Sequence, residues 1–208
     1  RTPIGPFQRS SSSTARGRSA GPSRTRASAS GWVSSACSSA PTALFADTPA
    51  DTLVLADAID DIVALDPGEA YEFSGLDVVN NIYDGLTELD PTTGEMVPGL
   101  AESWSVSDDG LTFTLKMKAG VTFASGNPVR AEDAAWSLQR AIKLNKSPAF
   151  ILGQFGWTPE NVDSMVTAEG DTLTLKVDKA YAPTFLYNCL TSGVASVVDK
   201  ELTMPNEV

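Results

Sequence analysis

The 208-residue chain contains no histidine. That removes the commonest general base and the commonest transition-metal ligand. Cysteine is nearly absent as well: Cys37 lies in an atypical N-terminal stretch and Cys189 in an apolar segment. A disulfide between them is not expected, and Cys189 reads as a small buried hydrophobe. No apolar run approaches the roughly 20 residues of a membrane-spanning helix. Basic residues are scarce beyond the N-terminal stretch. Residues 1–46 hold six arginines, no lysine and no acid, so the remainder carries nine basic and 26 acidic side chains, a balance of −17. An acidic body argues against nucleic acid as a partner, because that partner needs Lys and Arg facing phosphates. It fits a protein that resists association with anionic membrane surfaces.

The first 46 residues lack apolar bulk. Ser, Arg, Gly and Ala dominate residues 1–39, and such a segment cannot bury enough surface to offset chain entropy, so disorder is expected. A secretory signal needs a basic start, an apolar middle of about 7–15 residues and a small-residue cleavage site. Arginines are present, and Ala43-Leu44-Phe45-Ala46 suits the cleavage region, but the apolar middle is missing. A damaged export signal or a frameshifted 5′ end both fit. Cys37 as a lipid-bearing cysteine lacks the expected Leu in Ser34-Ser35-Ala36 before it.

Mixed strands and helices fill the rest. Thr52-Leu53-Val54-Leu55-Ala56 reads as a short buried strand. Ser74-Gly75-Leu76-Asp77 has the form of a capping box opening a helix with Leu76, Val79, Tyr83 and Leu86 at helical spacing. Thr87-Glu88-Leu89 is a short strand, followed by a turn at Asp90–Gly94. Trp104 and Val106 alternate with serines, and Leu111, Phe113 and Leu115 alternate with threonines, around Asp108-Asp109-Gly110. That pattern is a β-hairpin with its register written in. Residues 120–127 form a strand and turn around Val121 and Phe123. Residues 131–143 form a helix with Ala131, Ala135, Leu138 and Ile142 on one face and Glu132 and Asp133 in its first turn. A loop or broken helix spans 145–156, a second hairpin turns at Glu169-Gly170-Asp171, a short helix spans 182–190, and residues 193–198 return as a strand. The fold class is α/β in the broad sense, with α+β mixing.

Several phrases in order resemble family 5 of the extracytoplasmic solute-binding proteins, the dipeptide-, oligopeptide- and nickel-type binding components of bacterial ABC importers. They are Leu65-Asp66-Pro67, Asn81-Ile82-Tyr83-Asp84-Gly85-Leu86, Asp90-Pro91-Thr92-Thr93-Gly94-Glu95 and Val97-Pro98-Gly99-Leu100-Ala101-Glu102-Ser103-Trp104. Ser107-Asp108-Asp109-Gly110-Leu111-Thr112-Phe113, Lys118-Ala119-Gly120-Val121-Thr122-Phe123, Ser125-Gly126-Asn127-Pro128-Val129 and Ala131-Glu132-Asp133-Ala134-Ala135-Trp136-Ser137-Leu138 continue it. The resemblance covers roughly residues 51–202. It implies a type II periplasmic-binding-protein fold of two lobes around a cleft, of which this chain holds part of lobe one with its extra subdomain. The implied division is 47–72 and 180–208 in lobe one and 73–179 in the subdomain, with the second lobe missing and Val208 a truncation point. Arg130 stands where the family often has a capping Thr. Arginine cannot accept a backbone N–H, so a cost of about 1 kcal/mol is expected.

Most of this signature reads as structural: Trp104, Phe113, Trp136 and Leu138 as core, Asp108-Asp109 as turn chemistry, and Glu132-Asp133 as a helix start rather than a metal site. Catalysis, a cofactor and a metal site are not expected. The resemblance places ligand contacts in the loop after Asp66-Pro67, where Tyr71 and Phe73 can wall an apolar pocket and Glu69 and Glu72 offer carboxylates to a ligand ammonium. Packing of Tyr71 and Phe73 beneath the loop is the competing reading. Ala149, Phe150 and Gln154 form a second candidate segment, and Thr191 and Ser192 a third. The implied role is the binding component of an ABC importer. It would be periplasmic or otherwise extracytoplasmic and membrane-associated, and monomeric. It would capture peptides or similar small solutes by lobe closure and pass them to a membrane permease. A sensor or chaperone-like module on the same fold, or an enzyme using it as scaffold, are the alternatives.

Overall fold

The computed structural model describes residues 51, 52, 54, 56 and 58–206. The chain divides into two units, Arg1–Leu53 and Val54–Val208, and the second is the subject below. The N-terminal stretch, with Cys37 and the expected export signal, lies outside the described residues.

Two apolar rows organise the fold. The first hairpin is β3 (Ala101–Val106) and β4 (Thr112–Met117); the second is β5 (Val166–Glu169) and β6 (Thr172–Lys176). They join side by side into one antiparallel sheet of order β3-β4-β6-β5. The register aligns Val106, Phe113, Leu175 and Val166 straight across four strands, and Trp104, Leu115, Leu173 and Ala168 beside them. Phe113, Leu115, Leu173, Leu175 and Val166 are fully buried. The alternate positions place Ser105, Thr114, Thr174 and Thr167 in a row on the other face. Period-two alternation in the sequence therefore becomes one dry face and one hydroxyl-lined face. The turn at Gly110, with φ +69°, adopts a left-handed conformation that glycine takes without a Cβ clash. Asp109 Oδ1 accepts the Leu111 N–H at 3.0 Å, which is the turn role read from the sequence.

Helix α2 (Ala131–Leu144) covers the β5–β6 half of the dry face through Ala134, Ala135, Leu138, Ala141 and Ile142. Its Gln139 side chain donates to the Val166 carbonyl at 2.8 Å. Helix α5 (Pro183–Cys189) brings Tyr187 against Phe113 and Trp104, with ring centroids 5.7 and 5.8 Å apart. Trp104 and Trp136 are half-buried, so the core role read for them is met only in part. At the start of α2 the Arg130 side chain makes no cap, and the Asp133 carboxylate instead accepts the Arg130 N–H at 2.9 Å. This is one half of a capping box.

Helix α1 (Phe73–Ile82) precedes a small two-stranded sheet of β1 (Thr87–Leu89) and β2 (Met96–Pro98). Ser74 is not its cap. The helix begins one residue earlier, Glu72 occupies the cap position without a side-chain bond, and the Ser74 hydroxyl donates to the Ala58 carbonyl at 3.2 Å. The strand expected at 52–56 is absent from its described positions: Thr52, Val54 and Ala56 are exposed and irregular. Three apolar letters in five do not make a strand without a partner to pair with. Residues 120–129 form a turn closed by a single bridge, Thr122 to Pro128. Residues 145–156 are a broken helix, a 3₁₀ turn at Ser147–Ala149 running into α3 (Phe150–Gly153), and α4 (Val162–Met165) leads into β5.

The strand expected at 193–198 is also absent. Gly193–Ala195 is a 3₁₀ turn, and buried Val194, Val197 and Val198 contribute to the core from an irregular path into α6 (Lys200–Thr203). Ser137 Oγ accepts the Val198 N–H at 3.0 Å, so a side chain on α2 replaces the missing strand partner. Asp199 then gathers Ser125 Oγ at 2.6 Å, Asn127 Nδ2 at 3.0 Å and the α6 N–H groups of Glu201 and Leu202.

Two contacts fix the loop that precedes α1. Arg140 on α2 donates from Nη1 and Nη2 to the two Asp66 oxygens at 2.9 and 2.6 Å. Gly68 N–H also donates to Asp66 Oδ1, at 2.8 Å. Burial pushes the Asp66 carboxyl up, but the Arg140 and Gly68 hydrogen bonds and the Arg140 charge outweigh it and hold the group below its ordinary value. Further along, a Cβ on Gly99 would lie 2.5 Å from the Gly85 carbonyl oxygen, because Leu100 and Ala101 donate to Gly85 and Leu86 across that contact.

A lowered native pKa means that Asp66 contributes stability above its unfolded value, about pH 4, which disappears as pH falls through the native value. Urea unfolding of Arg140→Leu at neutral pH should show a loss of about 2–3 kcal/mol, between the surface and buried limits for an ion pair. Asp66→Asn should lower stability at neutral pH and flatten its fall between about pH 5 and pH 2; an unchanged acid limb contradicts the assignment. Gly99→Ala should cost about 2–3 kcal/mol as an overpacked backbone contact, read as a lower urea midpoint.

Candidate ligand-binding surface

The Asp66–Arg140 pair sets the geometry of the first candidate segment. Its backbone turns tightly, with Glu69 and Ala70 N–H donating to the Asp66 carbonyl at 3.0 and 2.8 Å. Pro67, Gly68 and Ala70 are buried beneath the turn, and Gly68 faces Leu144 and Arg140 of α2. The side chains that follow point outward. Tyr71 is 46% exposed and Phe73 89% exposed, so Phe73 does not pack beneath the loop. Phe73 stands as the first residue of α1 rather than in the loop itself.

The structure brings the second segment to the first. Tyr71 meets Phe150 edge to face, with centroids 5.7 Å apart and rings at 86°. Glu69 lies 3.5 Å from Lys146, which immediately precedes the 3₁₀ turn leading to Phe150. Phe150 is 57% exposed. An edge-to-face aromatic pair with an ion pair beside it is a surface that receives apolar matter on one side and a charge on the other. Ala149 is buried and supports Phe150 from behind. Gln154 contributes less: its amide donates to the Ile151 carbonyl, and its own carbonyl accepts the Tyr181 hydroxyl at 2.6 Å. Glu72 Oε2 accepts the Tyr71 N–H at 3.2 Å.

The third segment is arranged differently. Thr191 Oγ1 donates to the Asn188 carbonyl, and Ser192 Oγ donates to that of Cys189, so both hydroxyls cap α5. The 3₁₀ turn that follows packs against both α1 and α3. Thr191 lines a cavity of about 390 Å³ with Asn80, Tyr83, Asp84, Glu88 and Ser196. Another cavity, of about 410 Å³, opens beside Tyr83 between Phe123, Ser125, Val197 and Leu202. Sequence reasoning missed both, because each is assembled from segments 40 to 120 residues apart. The only local signal was the polar Asn127 after Ser125-Gly126.

Among the described residues no group of three or more His, Cys, Asp or Glu side chains stands in a metal-binding arrangement. None of their helices is long and apolar enough to cross a membrane.

Comparison with known proteins gives this surface a context. The profile of "Bacterial extracellular solute-binding proteins, family 5 Middle" matches residues 95–206. The probable deoxycholate-binding periplasmic protein YgiS of Escherichia coli is 27% identical over 152 residues, which are 70% of this chain and 28% of that protein. The probable D,D-dipeptide-binding periplasmic protein DdpA of the same organism is 30% identical over 159 residues, 74% of this chain and 29% of that protein. Among solved structures, the unliganded open form of the periplasmic murein tripeptide-binding protein MppA superposes with a TM-score of 0.61 at 26% identity, covering 69% of this chain and 30% of that one. The chain thus spans under a third of the length of these relatives, which are named as binding proteins rather than enzymes. With the profile covering more than half of its residues and a mixed α/β fold shared with a solved relative, the chain belongs to family 5 of the bacterial extracellular solute-binding proteins.

Proposed function

We propose that this chain supplies one wall of the binding cleft in the substrate-binding component of a bacterial ABC importer, outside the cytoplasm. The observation that carries the reading is the outward-facing Tyr71–Phe150 pair on a loop locked to α2 by Asp66 and Arg140. Residues 47–72 and 180–208 belong to lobe one and 73–179 to its subdomain, and the opposing lobe is contributed by chain beyond this sequence. Ligand captured between the lobes stabilises the closed state through its higher affinity for that state. The closed, monomeric protein then delivers it to a membrane permease. Peptides are the leading ligand class: Tyr71, Phe73 and Phe150 take an apolar side chain, and Glu69 and Glu72 offer carboxylates to an ammonium. The chain binds and does not catalyse.

A second reading, a non-peptide amphiphile, is favoured by the exposure of three aromatic rings at one surface and by the deoxycholate-binding relative. An amphiphile would use the aromatic wall and leave the carboxylates idle.

Calorimetry distinguishes these. Titrated with di- to pentapeptides, the 208-residue chain alone should show no saturable micromolar binding, since half the cleft is absent. A family-length protein carrying this segment should bind peptide, and Phe150→Ala or Tyr71→Ala should weaken binding about tenfold, the loss of one aromatic contact and its buried area. Tight peptide binding by the short chain, or unchanged affinity in both variants, overturns the reading. Saturable deoxycholate binding with no peptide binding selects the amphiphile.

A further inference from the structure

We propose that the cavity between the C-terminal end of α1, β1 and the turn after α5 is a binding site for a small organic ammonium ion. It lies apart from the aromatic wall and does not depend on the reading above. Six residues define it: Asn80, Tyr83, Asp84, Glu88, Thr191 and Ser196. None of its lining residues is Lys or Arg, and neither carboxylate joins an ion pair among the described residues.

Ser196 supplies the independent sign of a ligand. The residue is only 6% exposed, yet its hydroxyl has no hydrogen-bond partner among the described residues and stays open to this cavity. Its own N–H is satisfied by the Gly193 carbonyl at 3.0 Å, so the residue is held firmly while its Oγ is left free. A buried hydroxyl is normally paired, because leaving it bare forfeits its hydration. Neighbouring groups have the same polarity. Thr191 Oγ1 donates to Asn188 and keeps its lone pairs for another donor. The Asn80 carbonyl oxygen and the two carboxylates add acceptors.

Acceptors outnumber donors, and the net charge of the lining is negative, so the complementary ligand is a cation bearing several N–H donors. A primary ammonium has three, in tetrahedral array. A divalent metal is less well served, since the donor set has two carboxylates and otherwise neutral oxygens, and no three acidic, His or Cys groups gather there. The walls are stiff: the Asp84 carbonyl accepts the Val197 N–H at 3.0 Å, and buried Thr87 donates to the Tyr187 carbonyl at 3.3 Å.

The test is an NMR titration of the ¹⁵N-labelled 208-residue chain with methylammonium chloride at constant ionic strength. Saturable shifts at the Thr191 and Ser196 amides are expected. Ser196→Ala should weaken the response about threefold, as for loss of a neutral hydrogen bond, and Glu88→Gln about tenfold, as for loss of a charge-assisted one. Tetramethylammonium, which has the charge but no N–H, should fail to compete, and Ca²⁺ should not displace the amine. Linear drift shared with sodium chloride, equal competition by tetramethylammonium, displacement by Ca²⁺, or unchanged affinity in Ser196→Ala overturns the proposal. Should Glu88→Gln fail to fold, Asp84→Asn takes its place. Simple amines carry no peptide side chain, so this outcome is separable from that of peptide capture.

Discussion

The dry face of the four-stranded sheet must be covered, and α2 is the element that covers it. Two hairpins contribute the apolar rows, but neither hairpin buries them alone. Once α2 lies over β5 and β6, its remaining surface becomes the mount for other parts of the chain. Arg140 receives Asp66 from the N-terminal side of the sequence, and Ser137 receives Val198 from the C-terminal side. The binding loop and the core-filling path after α5 are thus positioned by residues about one turn of α2 apart. Loss of the helix–sheet contact would release both.

Much of this was legible because the sheet obeys period two and the helix obeys its own period. Trp104, Val106, Phe113 and Leu115 specify the first hairpin, and Leu173 and Leu175 the second. Ala131, Ala135, Leu138 and Ile142 specify the face of α2. Turn chemistry at Asp108–Gly110 needed no tertiary information. The failures share a cause. Val54 and Val194 sit in short apolar runs whose conformation is decided by partners far away in sequence. Buried Val197 and Val198 satisfy the hydrophobic pattern of a strand, yet the partner of the Val198 N–H is a serine hydroxyl. Ser74 shows the same limit for caps: its hydroxyl finds the Ala58 carbonyl before it can serve the helix.

The candidate site was legible to a different degree. The resemblance pointed to three segments, and the fold places Tyr71 and Phe150 in contact. No spacing rule joins residues that far apart; the contact exists because α2 carries one segment and the 3₁₀ turn beyond it carries the other. Thr191 and Ser192 were picked for their place after a short helix. Their hydroxyls cap that helix, and the accessible hydroxyl is that of Ser196, hidden in what read as an apolar strand. The family phrases mostly turn out to be geometry written as letters. Gly99 permits a backbone approach, and Asp133 replaces the cap that Arg130 cannot make.

The bidentate grip of Arg140 on Asp66 has a consequence for timing. The loop bearing Tyr71 is ordered by its own carbonyl turn and by a helix already packed on the sheet. Its conformational entropy is therefore lost when the chain folds, not when a ligand arrives. A ligand meeting that surface has less disorder left to remove, so more of each contact's energy remains as affinity.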